Sequence, residues 1–287
     1  MVDPKLLQKA RQLREKEHRL QPSLKLRTLD EIQQFIHAKG IVSVFGGNEL
    51  PSVISAIMGR EWKPSKKGFT GWGEWWSIKI SGQSAGHALG ELDRAKSILG
   101  TRIFRRSKTL VSHNLWPVLD PIVKHNHGLL VTGKILSDLE RKIVELLQAD
   151  GPIRTDHLRT RLKLEGKTFT SRFHRALSQL ESYALIVGYE DPRPERHLHA
   201  NIWQLWNSRV GSIARGHSPL SYDDARLELL ARTIDSAVLA PESDLEKWFP
   251  WNREGAQAQT ELLESGRILQ IGSFLVTPRL KERLKNP

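Results

Sequence analysis

The sequence predicts a mainly α protein with small β-hairpins, an α+β chain of tandem winged-helix (helix-turn-helix) domains. Three observations predict it. Residues 136–206 run helix, helix, basic helix, strand, loop, strand, the order of a helix-turn-helix with a hairpin wing. Residues 221–276 repeat that order. The first 130 residues resemble an enlarged version of the same unit.

The central unit is the clearest. Ser137 is a capping-type residue with Glu140 three positions on, and Leu139, Ile143, Val144 and Leu147 recur at helical spacing. Gly151-Pro152 stops the helix, and a short second one spans Thr155 to Leu162. The third, from Lys167 to Leu180, has an apolar stripe of Phe169, Phe173, Ala176, Leu177 and Leu180 and carries Arg172 and Arg175 on the opposite face. Ala184–Tyr189 and Asn201–Trp206 read as strands around a charged loop.

Upstream, Pro4 to Leu20 predicts a highly charged helix, either an arm touching phosphates or a solvated helix across the body. Leu29–Lys39 is a helix with Thr28 as N-cap and Gly40 as C-cap. Pro51 is expected in the first turn of a helix over Ser52–Met58. Residues 59–82 hold Trp62, Phe69, Trp72, Trp75 and Trp76 among Lys63, Lys66, Lys67 and Lys79. Such a cluster either meets a base or, more often, packs a loop onto the core. Ser84 to Leu99 reads as a helix, followed by a hairpin of Thr101–Arg106 and Thr109–Ser112. His125 and His127 fall in a predicted loop and His197 and His199 in the wing, without the spacing of a metal site. Downstream, Ser221 and Asp224 open a helix. Residues 241–249 form a second helix and Asn252–Glu264 a third, with Glu254, Glu261 and Glu264 against Arg253, a poor partner for phosphates. The expected organisation is a basic arm over 1–28, an enlarged winged helix with a Trp-rich insertion over 29–130, a central winged helix over 131–208 and a C-terminal one over 218–287.

Composition sets the partner class. The chain has 287 residues, a net charge of +12 and a pI near 10.0, which favours a polyanion, most often nucleic acid. It has no Cys, hence no disulfide, thiolate nucleophile or Cys-based zinc site. No stretch approaches the ~20 apolar residues of a membrane span, and the start of the chain lacks the apolar core of a secretory signal. The expectation is a soluble cytoplasmic monomer that binds double-stranded DNA, with no cofactor, no metal and no membrane. Phosphate contacts are expected from Lys167, Thr170, Arg172 and Arg175 on the third helix and from Arg193 and Arg196 in the wing.

The runs Asn48-Glu49-Leu50-Pro51-Ser52, Ser171–Leu180 and Ser221–Arg226, with an order of elements covering nearly the whole chain, resemble the AlkZ-type DNA glycosylases, and most closely their AlkZ-related branch. The resemblance implies three winged helices around a concave DNA-binding surface and removal or recognition of alkylated bases. It also implies a Gln-x-Gln motif that positions water in the N-terminal unit. The corresponding segment, Val44 to Glu49, has no Gln. Gln257-Ala258-Gln259 lies in the third unit, and Gln33-Gln34 lacks the spacing. Glu49, with Asn48 to orient a water, is then the candidate catalytic pair. A Glu at that place is more often a partner for the helix dipole. The alternatives are a winged-helix transcription regulator without enzymatic activity and a protein-interaction scaffold.

Overall fold

The computed structural model describes residues 4–63, 77–132, 136–164, 167–191, 201–211, 220–251 and 255–285. Within them the chain is helix-rich, with small antiparallel sheets. The predicted wing residues 192–200, with His197 and His199, and the insertion residues Phe69, Trp72, Trp75 and Trp76 lie outside the described residues.

After α1 (Pro4–Glu17), one arrangement occurs three times: helix, short strand, helical turn, helix, two strands. The first repeat is α2 (Leu29–Lys39), β1 (Ile41–Ser43), α3 (Val53–Met58), a small ribbon of β2 (Lys79–Ile80) and β3 (Gln83–Ser84), α4 (Ala85–Arg94), β4 (Ile98–Thr101) and β5 (Thr109–Ser112). A long helix, α5 (Trp116–Val131), leads to the second: α6 (Asp138–Asp150), β6 (Ile153–Arg154), α7 (Thr155–Arg161), α8 (Lys167–Ser182), β7 (Ile186–Glu190) and β8 (Asn201–Leu205). The short α9 (Trp206–Arg209) precedes the third: α10 (Tyr222–Ala237), β9 (Ala240–Pro241), a 3₁₀ turn (Glu242–Lys247), α11 (Gly255–Glu264), β10 (Leu269–Ile271) and β11 (Phe274–Val276). The last described helix is α12 (Arg279–Lys285). In every repeat the last strand lies between the other two, in the sheet orders β1-β5-β4, β6-β8-β7 and β9-β11-β10.

Local chemistry fixes the helix starts. Glu31 N–H donates to Thr28 Oγ1 at 3.2 Å while Glu31 Oε2 accepts from Thr28 N–H, a full capping box. Ser137 and Glu140 do the same for α6. At α10, Asp224 N–H donates to Ser221 Oγ at 3.1 Å and the Ser221 hydroxyl donates back to the Asp224 carboxylate. Gly188 on β7 is required by packing: a Cβ there would lie 2.6 Å from the Trp203 ring of β8. That ring is buried, and its Nε1–H donates to Thr155 Oγ1 at 3.0 Å, which ties β8 to α7.

Several boundaries differ from those the sequence predicts. The helix expected over Ser84–Leu99 stops at Arg94, where Lys96 turns the chain with φ 55°. Ile98 and Leu99 continue the apolar spacing of Leu89 and Leu92, but they are satisfied by pairing with β5, Ile98 opposite Ser112. The hairpin is therefore 98–101 with 109–112, and Arg105 and Arg106 belong to its turn, both with positive φ. Pro51 stands just before the cap Ser52 rather than in the first turn, and its carbonyl accepts from Ser43 N–H at 2.9 Å. His125 and His127 sit on α5, not in a loop. Burial of Trp116, Leu119, Ile122 and Val123 holds that helix through Pro121, and His125 stacks on Tyr222 at 3.8 Å. The helix expected over 241–249 is the 3₁₀ turn Glu242–Lys247.

The largest core runs through all three repeats, from Ile41 and Phe104 through Phe173 and Trp206 to Trp248 and Leu275. Helix α1 is docked, not free: Ala10 and Leu13 pack with Val238, Leu239, Val276 and Leu280. Trp62, the described member of the Trp cluster, is buried in the first repeat's core, the packing alternative of the two. Among the described residues no helix is long and apolar enough to cross a membrane.

Past the end of α1, His18 is 1 % exposed and its Nε2 lies 3.1 Å from the Ser236 carbonyl of α10. Burial, then the charges of Arg14 and Lys39, hold its pKa well below the usual histidine value. The folded chain thus keeps His18 neutral where the unfolded chain, with a pKa of about 6.5, takes up a proton. Stability from this site is present above that value and is lost as pH falls below it, by about 1.4 kcal/mol per pH unit. His18→Gln keeps a donor for the carbonyl and does not titrate. Its melting temperature is expected to fall less than the parent's between pH 6.5 and 5. Parallel curves would show that His18 does not carry the effect.

Candidate nucleic-acid interface

The candidate surface is built on α8. Phe173, Ala176, Leu177 and Leu180 are buried at helical spacing, so the helix is pinned along one stripe. Ser171, Arg172, His174 and Arg175 are exposed on the rest of it. Thr170 is half-buried and accepts a hydrogen bond from Arg159 Nη2 at 3.3 Å. The same Arg159 nitrogen donates to the Leu164 carbonyl at 3.2 Å, and its guanidinium lies 6.0 Å from the centre of the Phe173 ring. Arg159 thereby ties Leu164, past the end of α7, to Thr170 of α8. Lys167 opens α8. Burial, then the Arg159 charge, lowers the pKa of His174, so near neutral pH the positive charge of this face comes from its arginines.

The base of the loop after β7 is held by a buried ion pair. Arg154 of β6 meets Asp191 at 2.8 Å, both side chains 3 % exposed. Arg193 and Arg196, the expected loop contacts, lie outside the described residues. Thr170, Arg172 and Arg175 therefore stand together on one described helix, and the rest of the predicted phosphate set does not enter the geometry.

Asn48 and Glu49 lie in the loop between β1 and α3, which Gly47 turns with φ 94°. Asn48 Oδ1 accepts from Leu50 N–H at 3.0 Å, an Asx turn. Glu49 is engaged at both oxygens by Arg105, with Nε at 3.0 Å from Oε2 and Nη2 paired to Oε1. Arg105 Nη2 also meets Asp244 of the third repeat at 2.9 Å, and Arg105 N–H donates to the Trp248 carbonyl at 2.7 Å. One guanidinium therefore joins the first repeat to the third through two carboxylates. Burial works to lower the Arg105 pKa, but the Glu49 and then the Asp244 contacts outweigh it and raise it; the hydrogen bond from Lys247, and after it Arg105, lower the pKa of Asp244. A carboxylate chelated in this way has few lone pairs left for a water. Sequence reasoning missed Arg105, because the hairpin register that puts it in a turn was shifted by a few residues.

Among the described residues no cluster of three His, Asp or Glu is arranged to hold a metal ion.

Comparison with known proteins gives two findings. A family model described as AlkZ related matches residues 26–249. The solved structure of the Streptomyces sahachiroi DNA glycosylase AlkZ superposes with a TM-score of 0.56 and 14 % identity, over 99 % of this chain and 72 % of that one. At that identity the likeness is one of fold. No curated protein sequence matches.

Proposed function

Starting from the fact that the chain belongs to the AlkZ-related family, we propose that it is a DNA-binding protein of the glycosylase type that recognises alkylated bases in double-stranded DNA. The three repeats are read as winged helices: an enlarged one over 29–130, a central one over 131–208 and a C-terminal one over 218–287. The observation that carries the reading is the pinned helix α8, which exposes Arg172 and Arg175 in the recognition position of the central repeat. The net charge of +12 supplies the field that draws in a polyanion. Lys167 and Thr170 complete the phosphate contacts on this helix, with Arg193 and Arg196 from the loop beyond β7.

Removal of a base needs a group beside the flipped nucleotide that positions water or stabilises an oxocarbenium ion. Asn48 and Glu49 are the candidates in the first repeat. For Glu49 to act there, it has to leave the Arg105 fork.

The test pairs binding with chemistry. The protein is titrated against plain and alkylated duplex at two salt concentrations, and the products are treated with alkali to cut at abasic sites. Salt-sensitive binding is expected, tighter to the alkylated duplex. Scission confined to alkylated DNA, lost in Glu49→Gln without a change in melting temperature, assigns the chemistry to Glu49. A Glu49→Gln chain that melts lower and still cuts makes Glu49 an anchor for Arg105 only. A chain that binds neither duplex at low salt overturns the proposal and leaves the protein-interaction reading.

A further inference from the structure

Far along the chain from α8, the helix α1, the turn after it, α2 and α12 enclose an open cleft of about 800 Å³. Cations outnumber carboxylates on its walls six to two. Both carboxylates are already engaged: Glu17 is shared by Lys39 at 2.5 Å and Arg283 at 3.4 Å, and Glu31 accepts from the Arg27 and Thr28 amides in the α2 capping box. Lys16, Arg19, Lys25 and Arg27 have no carboxylate within ion-pair distance among the described residues, and Lys16, Lys25 and Arg27 are exposed. The floor between them is apolar, formed by Leu13, Leu24, Leu26 and Phe35. Most of this lining lies outside the segment matched by the family model, which begins at residue 26 and ends at 249.

We infer that this cleft binds a single-stranded stretch of nucleic acid, its phosphates on Lys16, Arg19, Lys25 and Arg27 and a base over the apolar floor. The inference rests on the reading of the chain as a DNA-binding protein and adds a second contact to it. The charge pattern asks for a polyanion: four cations without an ion pair among the described residues, spread over a helix end and a loop, match repeated phosphates better than one compact anion. The floor chooses the form. A duplex offers its phosphate ridge to a groove and would leave the apolar residues facing charge, whereas an unpaired strand can turn a base face onto them. The open mouth lets a chain run through.

The experiment measures anisotropy of a labelled blunt duplex and of the same duplex with a single-stranded overhang, at several salt concentrations. The parent is expected to bind the overhang substrate about tenfold tighter. Lys16→Glu/Lys25→Glu should abolish that preference and lower the salt slope on the overhang substrate by about two. Its melting temperature should be unchanged, since both side chains are exposed and form no ion pair among the described residues. An overhang preference that survives in the variant, or is absent in the parent, overturns the inference while the binding of blunt duplex leaves the main reading standing. Equal losses on both substrates assign the cleft to duplex phosphates and overturn the single-strand assignment. A parent that binds neither substrate overturns both readings.

Discussion

Arg209→Met is expected to destabilise the fold by about 3–5 kcal/mol at neutral pH, because it strands a buried carboxylate. Arg209, on α9, has its side chain 8 % exposed, with Nη2 3.0 Å from Asp93 Oδ1 and also bonded to the Asp93 carbonyl. The guanidinium stacks on the Tyr189 ring of β7 at 4.7 Å. Asp93 lies in the last turn of α4 in the first repeat, so this contact joins that repeat to the segment after β8. Beside it, Glu181 of α8 holds Arg102 at 3.1 Å and Lys108 at 3.2 Å. Burial raises the Asp93 pKa, opposed by Arg209 and then Lys108. Methionine fills the space of the stem but leaves Asp93, among the described residues, with the Lys108 charge and a long bond from Gly100 N–H. A carboxylate with a raised folded pKa favours the folded state below its unfolded value of about 3.8 and loses that contribution as pH rises through the folded value. The deficit of the variant should therefore shrink as pH is lowered toward 4. Asp93→Asn/Arg209→Met should recover much of the loss, and urea denaturation of the two single variants and the pair measures the coupling. A loss under about 1 kcal/mol in Arg209→Met would mean that water reaches Asp93 and the pair is not buried in solution.

This seam was not legible in the sequence. Asp93 falls inside the helix expected over Ser84–Leu99, and Arg209 in the expected linker. Only the folded chain brings them together across a separation of 116 positions. What the sequence does carry is local. Thr28 and Ser137 announce their helices because an N-cap is read from a few consecutive residues, and the structure completes each as a capping box with Glu31 and Glu140. The stripe of α8 is legible for the same reason, and so are its exposed Arg172 and Arg175. The error at 84–99 came where Ile98 and Leu99 fit a helical face and a strand equally well, and the partner strand Thr109–Ser112 decided the matter. Glu49 was legible as an acidic residue in the right loop. Its engagement by Arg105 was not, since that depends on the turn of a misregistered hairpin. The charged segment 4–20 left two alternatives open. The docking of Ala10 and Leu13 shows it lying across the body, and the cleft at its end keeps a phosphate-contacting role in the proposal.

Charge reversal on α8 is the second large effect. Arg172→Glu/Arg175→Glu is expected to weaken binding to blunt duplex by about a hundredfold at moderate salt and to lower the slope of affinity against salt by about two. The stability of the variant should stay within about 0.5 kcal/mol of the parent, as for other surface substitutions. The stripe that holds α8 in place, Phe173, Ala176, Leu177 and Leu180, is untouched, and Arg159 still ties the helix to the turn before it. Arg172→Gln/Arg175→Gln removes the same charges without adding repulsion, and it should show the same fall in slope with a smaller loss of affinity. Near neutral pH the lowered pKa of His174 keeps its ring from replacing the lost charges, so between pH 7 and 8 the neutral variant is left with Lys167 as the cation proposed to meet phosphate on α8. The slope discriminates between causes. A distant charge would shift affinity through the general field, whereas direct contacts release counterions one by one. If both variants keep the parent's slope on blunt duplex, α8 does not touch the phosphates, and the recognition helix of this chain has to be sought in another repeat.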